Sequence, residues 1–474
     1  MPNYPLMWFV SRTPTELGQR HCKYARYVEY HAGPHGTGLR RRGLTVPLAT
    51  GTGLHDGAEL IADWIMEFQS KHHAMPPAQL PMEVIAWASI EAAARYEAKA
   101  RARGFESDEG GSAAINNLIL EQRTLIEAQI WVFGMLFLPA VLAQYRIIDS
   151  EREESIVLDC TCGLGESVSD WQIHYQRGCV GIVQQGRADW ILEGWEDSVR
   201  GQLVYDEFKT KSSPNLPWEK AWEHSGQLLT NMEAASRRLG KKITAANIPV
   251  FFKGWRGRDR NDPPEAPKYQ HSPLVYGYFD PGSPGFKQPD WQASYRYTDD
   301  YGKGHTLAKT YQKQAIWEEE RPLVVPPNIR PEAGRVETWV LGYLTPRQWP
   351  ETLKVLGPFP HPAHRVADAL QSIAVEERDW REVVDMVRQD IAGGMPEAVA
   401  AAQHISRSWN CTHFDGTPCL AKAICFKDPG WEHPATMGGY EMRTPHHSSE
   451  RTAHESVGVK FPDEDAELDE EIDY

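Results

Sequence analysis

The segment LVYDEFKTKSS, residues 203–213, places two carboxylates and two lysines within six consecutive positions at the end of a strand-like run. In an extended strand successive side chains alternate faces, so Glu207 and Lys209 share one face and Asp206 takes the other. A carboxylate and a lysine aimed into one site, joined by a carboxylate from a neighbouring strand, could hydrolyse a phosphodiester. Paired carboxylates hold a hard divalent cation such as Mg2+ or Mn2+ through oxygen. The cation activates water and stabilises charge on the phosphate, while the lysine positions the nucleophile or neutralises the developing oxyanion. Asp189, in the strand-like GRADWIL, is the second carboxylate that could pair with this strand. Alone, an acid-x-Lys pair describes an exposed strand end with a surface salt bridge. The order of the surrounding motifs gives it weight.

GTGLHDGAELI places His55 after glycine at the start of a helix; GRADWIL and YDEFKTKSS follow, and HSGQLLTNMEAA carries Gln227 on a helix. This series resembles the PD-(D/E)XK nuclease superfamily, in its RecB-like, AddB-type branch of iron–sulfur exonucleases, to which CRISPR-associated and phage exonucleases are similar. The resemblance implies His55, Asp189 and Glu207 as metal ligands, with the backbone carbonyl of Phe208 as a further one. It implies Lys209 as the catalytic lysine, followed by Thr210, and Gln227 as a residue that sets the geometry on the substrate side. Where many members carry tyrosine four positions after that glutamine, this chain has Asn231. An additional carboxylate could come from Glu121, Glu127, Glu151, Glu153 or Glu154, and the sequence does not choose among them.

Cysteines form a second constellation. Cys411, Cys419 and Cys425 lie within fifteen residues of loop-like sequence, and Cys22 lies near the N-terminus. Thiolates select soft metals and iron–sulfur clusters. The same branch has one cysteine before the nuclease core and three after it, which implies a [4Fe–4S] cluster stapling the ends together. The seven-residue gap between Cys411 and Cys419 departs from the tighter spacing common there and leaves zinc as the alternative, with His413 or His21 as substitute ligands. Cys160, Cys162 and Cys179 could also bind metal but read more simply as buried strand thiols.

The elements that must position these groups follow from periodicity. Residues 1–148 read as a largely helical part. Residues 149–256 read as a mixed α/β core: strands at SIVLDCTC, CVGIVQQG, ADWILEG and GQLVYDEF, a helix ending at Gly240, and a further strand at KITAANIPVFFKG. Residues 257–330 form a Pro-, Gly- and aromatic-rich insertion, 331–445 a second helical part with the cysteine triplet, and 446–474 an acidic disordered tail. The expected class is α/β, a restriction-endonuclease-like mixed sheet flanked by helices. IVLDCTCGLGES also invites comparison with an adenosylmethionine-dependent methyltransferase, but that reading needs a helix directly after Gly165, and SVSDWQIHYQRGCVGIV reads as strand or hairpin.

At 474 residues the chain exceeds one ordinary core. It shows no basic-then-apolar leader pattern, and its longest apolar run, 130–143, is too short to span a bilayer. Unpaired thiols suit the cytoplasm, of a bacterium or of a phage-infected host if the resemblance holds. The net charge of −15 includes eight acids between Asp463 and Asp473. Residues 236–260 hold eight bases and one acid. That local excess suggests a DNA path involving Arg237, Arg238, Lys241 and Lys242, with Lys211 and Arg40, Arg41 and Arg42 as further candidates. The expected partner is DNA, single-stranded or end-bearing, together with a recombination or replication protein, and no membrane. A non-catalytic iron–sulfur DNA-binding subunit is the alternative from another class.

Overall fold

The computed structural model describes residues 5–10, 22–43, 46–105, 132–162, 171–211, 216–253, 353–408, 419–445 and 447–461, with scattered positions within 119–130 and short strands between 255 and 343. The first half runs β1 (Met7–Val10), α1 (Lys23–Tyr30), β2 (Leu39–Arg41), α2 (Val46–His72) and α3 (Met82–Arg103). A π-helical turn, Phe133–Phe137, enters α4 (Leu138–Leu142). Then come β3 (Tyr145–Cys160), α5 (Trp171–Gln176), β4 (Gly181–Gly194), β5 (Leu203–Asp206), β6 (Lys209–Lys211), α6 (Leu216–Ala221), α7 (Gly226–Leu239) and β7 (Ile243–Phe252).

β4 is the spine of a mixed sheet. β3 lies antiparallel along its whole length, while its other edge carries β1 in parallel and then β5 antiparallel. β5 and β6 both run parallel to β7, in the same offset from Asp206–Asn247 to Lys209–Val250. Period-2 alternation explains why both faces are buried. Trp190, Leu192, Val204, Phe208 and Phe251 pack on one side against α2, α3 and the turn at Phe133. Ile191, Leu203, Tyr205, Ile243 and Val250 pack on the other against Leu228, Met232 and Ala235 of α7. Because β3 and β4 are antiparallel, the parallel strand–helix–strand unit required by the methyltransferase reading is not formed.

Three expectations are corrected here. The glycines of GTGLHDG do not form a turn at a helix start: α2 already begins at Val46. Their role is close packing, since a Cβ on Gly53 would lie 2.6 Å from Ile126 and one on Gly57 would lie 2.4 Å from Ile130. Residues 171–176 are helical rather than strand. The expected second helical part, 331–445, contains a strand, β14 (Leu353–Pro360), which pairs antiparallel with β7 and extends the main sheet.

Between β7 and β14, short strands β8 (Trp255–Arg256) and β9 (Tyr269–Gln270) pair with each other. β10 (Leu274–Phe279), β11 (Arg296–Thr298), β12 (Gly304–Thr306) and β13 (Thr338–Tyr343) form a separate antiparallel sheet. The chain then continues through α8 (Ala363–Ala392), α9 (Glu397–His404), α10 (Lys422–Cys425), β15 (Tyr440–Met442) and α11 (Ser448–Ser456). Residues 448–456 are therefore helical, not part of a disordered tail; the acidic run at 463–473 lies outside the described residues. Among the described residues no helix is long and apolar enough to cross a membrane.

The two ends of the chain share one core. β2 pairs with β15, and Trp8, Tyr24, Tyr27 and Leu39 pack with Trp380, Val384, Ile424 and Tyr440. Arg26 meets the fully buried carboxylate of Glu377 at 2.8 Å, and the Trp8 indole donates to the same carboxylate at 3.2 Å. In α11, burial pushes the His454 imidazole down to about 3, with Arg443, Arg388 and His35 adding to the effect. The unfolded chain binds that proton from about pH 6.5 downward while the folded chain refuses it, so stability is lost as pH falls from 6.5 towards 3. His454→Leu is expected to flatten that part of the pH–stability curve, measured by urea unfolding, by up to about 1.4 kcal/mol per pH unit.

Candidate metal centre and active site

β4 delivers Asp189, β3 delivers Glu151 and α2 delivers His55 to one point, with their ligand atoms all within 4.8 Å of one another. His55 Nδ1 lies 3.0 Å from Asp189 Oδ1 and 3.8 Å from Glu151 Oε1. Glu151 is the carboxylate that sequence reasoning could not pick from its five candidates. It falls between the pairs Ser150–Trp190 and Arg152–Ala188 and so stands opposite Asp189. Strand register selects it, which a single sequence does not display. Its φ of +50° is rare for a residue with a side chain and costs roughly 1–3 kcal/mol, strain of the kind that collects at functional sites. Arg187 holds its other oxygen at 2.7 Å.

Beside this group lies the strand that opened the sequence analysis. Lys209 Nζ donates to Glu207 Oε1, as their shared face requires. Glu207 also accepts from the Tyr205 hydroxyl at 2.6 Å and from Gln227 Nε2 at 3.3 Å. Asn231 Nδ2 in turn donates to the Tyr205 hydroxyl at 3.2 Å. Sequence reasoning missed Tyr205, although it shares the face of Glu207 and Lys209. Gln227 and Asn231 sit one turn apart on α7, whose start is capped by Ser225 accepting from Leu228 N. The Phe208 amide donates to Asp189 Oδ2, which brings the Phe208 backbone beside the metal-type group.

Asp206 is set apart. Its side chain accepts from Asn247 Nδ2 at 3.1 Å, and burial pushes its carboxyl up to about 7 against the pull of that hydrogen bond. Burial alone would lower the His55 imidazole, but the charge and hydrogen bond of Asp189, joined by Glu151, outweigh it and raise it to about 10. Lys209 is raised in the same way: burial opposes its charge, and Glu207 and Asp189 overcome it. The site therefore gathers negative charge that a His55 imidazolium balances. Two carboxylates and an imidazole around one point also fit a hard divalent ion, whose binding would displace that proton. His55 keeps 26% of its side chain exposed and Asp189 keeps 8%, so the group opens to solvent on the α2 side.

Close packing keeps this network in place. A Cβ on Gly186 would lie 1.9 Å from Asn231 Oδ1. On the nuclease expectation raised by the sequence, Gly186→Ala would push Asn231 off Tyr205, loosen Glu207, and lower turnover by roughly tenfold or more with little change in metal affinity. Single-turnover kinetics beside a metal titration would check this; a loss of metal affinity alone would contradict the placement.

The expected DNA-contacting bases are arranged differently from the sequence picture. Arg238 pairs with Asp149 and Glu154, Arg237 with Glu233, and Lys241 with Glu193. Arg40 pairs with Glu441, Arg41 donates to the Cys419 carbonyl and Arg42 to the Tyr440 carbonyl. Within 236–260, Arg238 and Lys241 are thus matched by acids distant in sequence and Arg237 by one on its own helix. Lys209 and Lys211 lie over Trp222 and Trp218 at 5.5 and 5.2 Å from the ring centres, and Lys242 is exposed.

Of the expected cluster thiols, Cys22 precedes α1, Cys419 and Cys425 flank the start and end of α10, and all three lie in or against the core that joins the two ends. Cys411, His413 and His21 fall outside the described residues. The three come from both ends of the chain and share one apolar core. Among the described residues, however, the tight Cys/His gathering is a different one: Cys160, Cys162, His174 and Cys179. The reading of those cysteines as separate buried strand thiols is corrected, because α5 brings His174 among them. No family model matches the chain, and no curated protein matches it in sequence.

Proposed function

We propose that the chain is a divalent-metal-dependent nuclease with a PD-(D/E)XK type of core, hydrolysing DNA phosphodiester bonds on single strands or at DNA ends. The observation that carries this reading is the convergence of His55, Glu151 and Asp189 on one point, with the Lys209–Glu207 pair beside them. His55, Glu151 and Asp189 would hold Mg2+ or Mn2+, with the Phe208 backbone close by. The ion, when bound, polarises the phosphate and lowers the pKa of a bound water.

The chain's own residues do the rest. Tyr205, Gln227 and Asn231 fix Glu207, and Glu207 fixes the Lys209 ammonium, which stays charged to stabilise the phosphorane-like charge or orient the attacking water. Trp218, half-buried with Lys211 over it, offers stacking and a phosphate contact without base readout, whereas Trp222 is buried and seats Lys209. Cys22, Cys411, Cys419 and Cys425 would hold the stapling iron–sulfur cluster, with zinc as the alternative metal. A cytoplasmic setting and a partner in DNA recombination or replication belong to this proposal as well.

The test is cleavage of end-labelled single- and double-stranded DNA by protein purified anaerobically. Mg2+- or Mn2+-dependent product is expected, abolished by chelator. Intact DNA across metals, strands and ends would leave the binding-subunit reading in its place.

A further inference from the structure

Outside the nuclease-type site, β3 and β4 are joined by a segment whose two feet carry sulfur. Cys160 ends β3, Cys162 follows two residues later, α5 supplies His174, and Cys179 precedes β4. Cys160 Sγ and Cys162 Sγ lie 3.7 Å apart, and Cys162 Sγ lies 3.2 Å from His174 Nδ1. All four ligand atoms lie within 4.8 Å of one another. No pair of these cysteines is disulfide-bonded. His174 and Cys179 are buried, at 0% and 2% exposure.

We infer that these four side chains form a structural zinc site, a closed Cys3His tetrahedron. Four donor atoms around an ion with Zn–S near 2.3 Å and tetrahedral angles place neighbouring sulfurs about 3.8 Å apart. The Cys160–Cys162 separation matches that spacing. Donors on a four-iron cluster bind separate irons and stand farther apart, so this gathering suits one ion. Three thiolates and an imidazole select zinc over the hard cations of the Asp189 group. The supporting shell also fits: the Thr161 amide donates to Cys179 Sγ at 3.2 Å, a hydrogen bond that favours the thiolate. With four protein donors no position is left for water or substrate, which makes the site structural rather than catalytic.

Its consequence is mechanical. Cys160 pairs with Gly181 at the connected end of the β3–β4 ladder, and the same two strands carry Glu151 and Asp189 farther along. The ion ties both strand ends and α5 together, and so holds the register that places Glu151 opposite Asp189.

The test is metal content per chain for protein purified with zinc supplied. The variants are Cys162→Ser and Cys179→Ala, with Cys419→Ala and Asp189→Asn as controls at the other two candidate metal positions. Each site variant is expected to hold one zinc per chain fewer than the wild type, and Asp189→Asn as many; where the stapling thiols also take zinc, Cys419→Ala loses that second ion and keeps this one. Cobalt-substituted wild-type protein should show thiolate-to-metal charge transfer and the strong visible bands of a tetrahedral centre, and His174→Cys should retain metal with shifted bands. The cobalt spectrum of Cys419→Ala, which reports this site apart from the stapling thiols, stands even if a site variant fails to fold. Site variants that hold as much zinc as the wild type, or a Cys419→Ala cobalt spectrum without thiolate bands, would overturn the inference.

Discussion

Asp189→Asn should lower metal-dependent cleavage by about 10³-fold or more, while Asp206→Asn should leave it within a few fold. The two carboxylates lie on neighbouring strands, yet they do different work. Asp189 bridges His55 and the Phe208 amide and belongs to the three-residue group that fits a cation. In the proposed nuclease its loss would remove a charged ligand from the point where charge develops in the transition state, where even a single neutral donor is worth about 10²–10³-fold. Asp206 is 1% exposed, held by Asn247 and pushed up to about 7, so asparagine approximates its protonated state. Glu207→Gln should fall between the two: glutamine keeps one oxygen, so one of the donors Tyr205 and Gln227 keeps its acceptor while Lys209 loses its counter-charge. Rates at saturating metal, with metal affinity measured separately, decide the matter. Activity lost in Asp206→Asn and kept in Asp189→Asn would mean that the wrong strand face has been assigned to the chemistry.

The largest expected effect on stability lies far from that site. Glu377→Ala is expected to destabilise the fold by about 3–5 kcal/mol, because it strands the Arg26 guanidinium inside the core that joins the chain ends. Arg26 is 7% exposed and also lies 5.2 Å from the centre of the Trp380 ring; Trp8 loses its acceptor in the same substitution. Replacing both partners at once, Arg26→Met with Glu377→Leu, should recover most of the loss, since two apolar side chains leave no uncompensated charge. Urea unfolding of the single and double variants gives the comparison. Equal loss in the single and double variants would show that the carboxylate serves some other group.

The catalytic-type strand was legible because period 2 is a local property: Glu207 and Lys209 had to share a face, and they do. His55 could be nominated only through motif order, and its glycines were misread because nothing local distinguishes a turn glycine from one that admits Ile126 or Ile130. Glu151 was hidden among five acids, since its selection depends on the pairing of β3 with β4. Arg238 and Lys241 in the basic stretch at 236–260 looked uncompensated because their partners Asp149, Glu154 and Glu193 lie 48–89 positions away. The Cys160 group escaped for a related reason: a histidine assigned to an extended segment cannot be brought to the thiols, whereas one on a short helix can.

The shared core of the two chain ends also bears on how the molecule is made. Arg26 and Glu377 are 351 positions apart, and Leu39 pairs with Met442. Contacts of such separation are slow to close and cannot form on a nascent chain whose distal half is still in the ribosome. α1 therefore emerges with its apolar side uncovered and waits for α8, α10 and β15. A chain halted before residue 363 leaves that surface open to chaperones or to aggregation. Segments synthesised later decide whether the earlier ones have anywhere to pack.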